Sequence, residues 1–109
     1  SRRGVVHVAL ESDGSGEIVN TPILEGSRFV IEEVTGSLSG FDVMLNFDDL
    51  TDVPAVVVTP NALPMDFKCL GGVPDPGGLD SQKRVLLSTH GFDSTDDRGA
   101  LVIHARKKS

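Results

Sequence analysis

The segment Gly40–Asn61, GFDVMLNFDDLTDVPAVVVTPN, constrains the fold more than any other part of the chain. Its first half carries four apolar residues spaced two apart, namely Phe41, Val43, Leu45 and Phe47. Because successive side chains of a strand point to opposite faces, this spacing predicts a strand with one apolar face. The polar corner Asp48–Asp52 then leads into a β-branched run between Pro54 and Pro60, which predicts a second strand. The segment is therefore interpreted as two strands joined by a turn.

Further strand-like runs recur along the chain, separated by turn residues. They are Gly4–Leu10, Glu17–Leu24, Arg28–Thr35, Met65–Leu70, Arg84–His90 and Ala100–Arg106. Short strands at this spacing, without an amphipathic helix, predict an all-β, antiparallel β-sandwich or jelly roll of about eight strands. We interpret residues 1–109 as one such domain, a length typical of single domains. The run Gly71–Asp80 contains four glycines and two prolines and is predicted to be an irregular loop.

The charge balance excludes some classes of partner. Ten Lys and Arg stand against sixteen Asp and Glu, a net charge of −6, which argues against nucleic-acid binding. No run approaches the about 18 apolar residues that would span a membrane, so we expect no membrane insertion. Most aspartates lie in Gly-, Ser- and Pro-rich stretches, where their carboxylates favour turns. Calcium binding in these loops is the alternative interpretation.

Cys69 is the only cysteine, so the chain cannot form an intrachain disulfide. Alternation along Met65–Leu70 places Cys69 on the same face as Met65 and Phe67. We therefore expect a buried, free thiol.

The sequence carries no recognisable catalytic motif. Ser88, His90 and Asp93 are too close along one strand and its turn to form a catalytic relay. His7 and His104 would come close together if the first and last strands pair, and with a carboxylate they would make a metal site. That pairing underlies a remote alternative, a small metal-dependent hydrolase. The leading expectation is a protein without enzymatic activity, cofactor or metal.

Several strands are apolar on both faces, as in Val5 and Val6 with Val8, Val56–Val58 and Leu101–Ile103. A two-layer sandwich exposes one face of each sheet, so these strands require a second buried surface. Packing between subunits is the simplest way to cover it, which predicts a homo-oligomer.

The Gly40–Asn61 segment resembles a β-sandwich domain found at the ends of phage tail fibres and of bacterial collagen-like or fibrous surface proteins. The matching positions are Gly40, Phe41, Val43, Phe47, Pro54, Ala55, Val56, Val58, Thr59 and Pro60. The upstream Gly26, Phe29 and Ile31 fit the same layout, as does the closing run Ala100–Ala105. The closing strand of such domains is usually aromatic, whereas this chain has leucine and isoleucine there.

The resemblance implies a compact homotrimeric head, broadly like tumour-necrosis-factor-like and fibre-knob domains, at the C-terminal end of a longer fibrous protein. Its expected location is extracellular, on a cell surface or a virion fibre. The implied function is non-catalytic binding of a cell-surface ligand, either a glycan or a protein receptor. The alternative is a purely structural trimerisation cap for a stalk.

Ligand contact would then fall to loops, and Gly91–Gly99 offers the most varied chemistry. The candidate ligand-binding residues are His90, Phe92, Asp93, Asp96, Asp97 and Arg98. They combine hydrogen-bond acceptors and a cation with an aromatic ring for stacking. A solvated connecting loop is the alternative interpretation of the same residues.

Overall fold

The computed structural model describes residues 3–49, 51–77 and 81–108, and these contain nine β-strands. The strands are β1 (Arg3–Glu11), β2 (Thr21–Glu25), β3 (Phe29–Ser39), β4 (Asp42–Phe47), β5 (Val53–Val58), β6 (Met65–Asp66), β7 (Val73–Pro74), β8 (Arg84–His90) and β9 (Arg98–Lys107). A single turn of 3-10 helix, Lys68–Leu70, follows β6. No helix in this described part of the chain is long and apolar enough to cross a membrane.

The strands form two antiparallel sheets. Sheet 1 has the order β1-β9-β3-β6, with β7 also pairing with β3, and sheet 2 has the order β2-β8-β4-β5. From β1 to β4 the chain alternates between the sheets, and β8 and β9 again lie in different sheets. This double-sheet winding is the jelly-roll arrangement. The predicted all-β, antiparallel sandwich is therefore confirmed.

The core lies between the two sheets, and β4 and β9 contribute every second residue to it, whereas β8 and the start of β3 are buried over consecutive residues. In sheet 2, Val43, Leu45 and Phe47 of β4 are buried and alternate with half-buried residues. In sheet 1, Leu101 and Ile103 of β9 are buried in the same way. The alternation found in the sequence therefore corresponds to the inner and outer faces of each sheet.

The sixth predicted strand is much shorter than expected. Pairing stops at Asp66, whose carboxylate Oδ1 accepts a hydrogen bond from the Lys68 amide at 2.9 Å. Gly71 ends the following 3-10 turn in the left-handed conformation, with φ 84°. Cys69 lies in this turn and is exposed, so the expectation of a buried thiol is wrong. The predicted Gly71–Asp80 loop contains the short strand β7, and residues 78–80 lie outside the described residues.

One glycine in sheet 1 is required by its surroundings. Gly36 has φ +125°, and a Cβ atom added there would overlap the carbonyl oxygen of Ala100 on β9. A side chain at this position would therefore strain both its own backbone and the strand opposite.

We expect Gly36→Ala to lower the free energy of unfolding by about 2–4 kcal/mol, because strain and overpacking add together. Urea unfolding at fixed protein concentration measures this loss. Gly4→Ala is the control, since a Cβ at Gly4 meets no atom within 4 Å, and it should change stability by less than about 0.5 kcal/mol. Equal losses in the two variants would contradict the role assigned to Gly36.

Candidate functional site

The outer face of sheet 1 is the first candidate surface. Strand β9 pairs with β1 on one side and with β3 on the other, so its outward residues each lie between two partners. The outward positions form four rows across the three strands: Glu11–Arg98–Ser39, Ala9–Ala100–Ser37, His7–Val102–Thr35 and Val5–His104–Glu33. Each of these residues is exposed or half-buried, which distinguishes them from the buried inward set.

The middle of this face carries little charge. Val5, His7, Val102 and Thr35, which we call the valine patch, lie next to one another on the three strands, and Val5 is the member that borders His104 and Glu33. Val5 is 51% exposed, a large value for a valine in the middle of a strand. The patch is the part of sheet 1 where the predicted second buried surface would lie.

The two strand histidines share this face, because β1 and β9 are partners. His7 lies opposite Val102 and His104 lies opposite Val5, so the imidazoles are diagonal neighbours. His104 Nε2 is 3.9 Å from Glu33 Oε1. Within the described residues, no group of three or more His, Cys, Asp or Glu side chains could hold a metal ion. The geometry therefore adds nothing that favours the hydrolase alternative.

A groove of about 550 Å³ lies at the end of sheet 1 where β1 ends and β9 begins. We call it the Arg98 groove, and its lining residues are Ala9, Leu10, Glu11, Ser37, Ser39, Arg98, Gly99 and Ala100. Glu11 and Ser39 lie on either side of Arg98 in the strand register. Ala9 and Ala100 lie opposite each other in this lining, and their short side chains leave an open, shallow surface there.

The loop between β8 and β9 is held by a buried carboxylate. Asp97 is only 6% exposed, and its Oδ2 accepts hydrogen bonds from the amides of Asp93 and Ser94, both at 3.0 Å. The carbonyl oxygen of Asp97 accepts a third bond, from the Ser12 amide at 3.0 Å. Asp97 therefore shapes the loop and connects it to the segment after β1.

Phe92 is also part of the interior. It is 4% exposed, and its ring lies 4.6 Å from the ring of Phe41, with an angle of 58° between the planes. This tilted contact is a favourable arrangement for two aromatic rings. In this position the ring of Phe92 anchors the loop to the core and is covered on the side where a ligand would stack.

Glu17 holds the same loop from outside, and the sequence analysis did not identify it. Its carboxylate accepts hydrogen bonds from the amides of Phe92 at 2.8 Å and Gly91 at 2.7 Å, and from the hydroxyl of Thr89 at 2.9 Å. The Phe92 amide, with further contributions from Gly91, Thr89 and the charge of His90, lowers the pKa of Glu17. No local pattern could have revealed this contact, because Glu17 and Gly91 are 74 residues apart in the chain.

The structure thus divides the predicted ligand-binding residues into two groups. Phe92 and Asp97 are buried and hold the loop, whereas His90, Asp93, Asp96 and Arg98 are exposed. Only Arg98 of these lines the Arg98 groove, together with residues from β1 and β3 that the sequence analysis did not select. The exposed set is therefore the part of the prediction that can contact a ligand directly.

The aspartates at the opposite end of the sandwich form structural contacts. Asp48 Oδ2 accepts a hydrogen bond from Arg84 Nε at 2.8 Å. Asp75 is 1% exposed, and its carboxylate accepts hydrogen bonds from the Gly77 amide at 2.7 Å and the Ser81 hydroxyl at 3.0 Å. Asp48, the first residue of the acidic corner after β4, is therefore held by an ion pair with β8.

These features define an all-β jelly-roll domain with an exposed valine patch and a neighbouring polar groove on one sheet. Comparison with known proteins adds no closer assignment, since no family model, curated protein or solved structure matches the chain.

We expect Asp97→Ala to lower the free energy of unfolding by about 1–3 kcal/mol, because two loop amides lose their acceptor. Thermal or urea unfolding measures the change. Asp96→Ala, one residue away and exposed, is the matched control and should cost less than about 0.5 kcal/mol. If the two variants unfold alike, Asp97 does not hold the loop.

We expect Glu17→Gln to reduce hydrogen-exchange protection of the Gly91 and Phe92 amides. Since the folded-state pKa of Glu17 is lowered, its anchoring is complete above the ordinary carboxyl pKa and is lost as the pH falls through the lowered value. The difference between wild type and variant should therefore be full near neutral pH and disappear in acid. Glu25→Gln at the exposed end of β2 is the control, and a pH-independent difference would contradict the assignment.

Proposed function

We propose that this domain is the non-catalytic, homotrimeric head of a fibrous adhesin or tail-fibre protein, located outside the cell or on a virion, and that it binds a cell-surface ligand. The observation that supports this most directly is the valine patch on the outer face of sheet 1. Interface centres are depleted in charged residues, and the middle rows of this face share that composition.

The direction of the strands also supports a head with a free end. Strand β1 begins at Arg3 and ends at Glu11, beside the Arg98 groove. The loop between β8 and β9 lies at this same end, because β9 begins at Arg98. A stalk joined before β1 would enter at the opposite end and leave the groove and loop accessible.

A second candidate is a purely structural trimerisation cap. The burial of Phe92 and Asp97 favours it, since these residues stabilise the loop and offer little to a ligand. The two candidates share the same subunit packing and differ only in whether the distal end binds anything. A glycan array separates them, because a cap would give no signal with any sugar.

Subunit assembly is tested by two separate variants, each of which replaces one of two similarly exposed valines with glutamate. Val5 on the outer face of sheet 1 is 51% exposed, and Val57 on sheet 2 is 56% exposed. We expect wild type and Val57→Glu to be trimeric in multi-angle light scattering. Val5→Glu should dissociate into monomers, because it places a carboxylate in the contact.

Circular dichroism should show that both variants keep the wild-type strand content. A monomeric wild type at all accessible concentrations would overturn the trimer. Dissociation of Val57→Glu but not of Val5→Glu would move the contact to the other sheet.

A further inference from the structure

We propose that the Arg98 groove is a binding site for a neutral, hydroxyl-rich saccharide. This inference deepens the proposed function and rests on it, because it names the ligand class and the residues that contact it. The site is lined by residues of β1, β3 and β9, and Arg98 is the first residue of β9. It therefore differs from a site formed by the β8–β9 loop alone.

The polar side chains that line the groove are exposed to solvent. Within the described part of the chain, the side chains of Glu11, Ser37, Ser39 and Arg98 form no hydrogen bond or ion pair. Some other charged groups near strand ends are engaged by the protein itself, as shown by Asp48 with Arg84 and Asp97 with the loop amides. Four unengaged polar groups around one groove provide donors and acceptors that a ligand can use without breaking existing contacts.

The charged and hydroxyl groups of the groove are also arranged so that a sugar could bond to several of them at once. Glu11, Arg98 and Ser39 lie directly opposite one another across three strands, and adjacent strands are about 4.8 Å apart. A carboxylate that only accepts hydrogen bonds thus stands beside a guanidinium that only donates them. Adjacent sugar hydroxyls both donate and accept, so one hydroxyl can donate to Glu11 while its neighbour accepts from Arg98. The Ser39 and Ser37 hydroxyls add contacts along the same side of the groove.

The groove also contains a small apolar surface. Ala9 and Ala100 lie side by side, between the row Glu11–Arg98–Ser39 and the valine patch. Their methyl groups form a small apolar surface, which suits the C–H face of a pyranose ring. A larger side chain at either position would fill the space that a ring needs.

The local charge favours a neutral sugar over an acidic one. Glu11 and Arg98 balance each other, while Asp93 and Asp96 on the nearby loop are exposed and the whole chain carries −6. An anionic sugar would gain from Arg98 but would approach an acidic surface. A neutral polyol can use both members of the Glu11–Arg98 pair at once.

The direct test is an NMR titration of the 15N-labelled wild-type chain. The probes are the methyl glycosides of glucose, galactose, mannose and N-acetylglucosamine, with N-acetylneuraminic acid as the acidic arm. We expect at least one neutral glycoside to shift the amides of Ala9, Glu11, Ser37 and Arg98 in a saturable way. Arg98→Ala and Glu11→Gln should each weaken that binding about tenfold or more, the change expected when a hydrogen bond to a charged group is lost.

Two control variants remove equivalent charges elsewhere. Lys107→Ala removes a cation at the far end of β9, and Glu25→Gln removes an exposed carboxylate at the end of β2. Both should bind like wild type. No saturable shift in the groove up to tens of millimolar sugar would overturn the site, as would tighter binding of the acidic sugar or shifts confined to the β8–β9 loop.

Light scattering on the same samples separates this inference from the proposed assembly. A trimeric wild type that binds none of the sugars would remove the groove site and favour the structural cap. A monomeric wild type whose binding depends on Arg98 and Glu11 would confirm the site and overturn the trimer. Arg98→Ala should bind about tenfold or more weakly while remaining trimeric.

Discussion

The register of β9 against its two neighbours is the constraint on which the rest of this structure depends. Strand β9 pairs with β1 on one side and with β3 on the other. Because side chains alternate along a strand, this register sends Leu101, Ile103 and Ala105 into the core. A shift by one residue would exchange the inner and outer sets. The pairing that builds the hydrophobic core therefore also determines which residues meet on the outer face.

The sequence predicted the strands best where alternation was strict and the neighbouring turns were strong. Phe41–Phe47 is an example, since its four inward residues are all buried. The prediction failed at Met65–Leu70, which has a similar alternation. There the Asp66 carboxylate binds the Lys68 amide, and Gly71 adopts a left-handed conformation. Such local contacts outweigh a short apolar alternation when only two residues of the segment pair with the sheet.

The candidate site was less predictable, because its contacts join distant parts of the chain. The sequence grouped six residues on one loop, but it contained no sign that Phe92 packs against Phe41 or that Glu17 binds the loop amides. Arg98 was selected for its charge, whereas Glu11 and Ser39 became candidates only when the register placed them beside it. The possible pairing of the first and last strands was the one hint available from the sequence. It concerns β1, which carries Glu11, and contains nothing about β3, which carries Ser39.

The distribution of charge over sheet 1 would let the proposed assembly and the proposed binding share one face. The row Glu11–Arg98–Ser39 lies at the end of the sheet, and the valine patch lies towards its middle. Burying an unpaired charge at the centre of an interface is costly, whereas a charge at its rim stays hydrated. A subunit contact centred on His7 and Val102 would therefore leave Arg98 at one edge of the contact and Glu33, in the row of Val5, at the other. Packing against the patch and a ligand in the groove would then occupy neighbouring areas without competing, and Ala9 and Ala100 would mark the boundary between them.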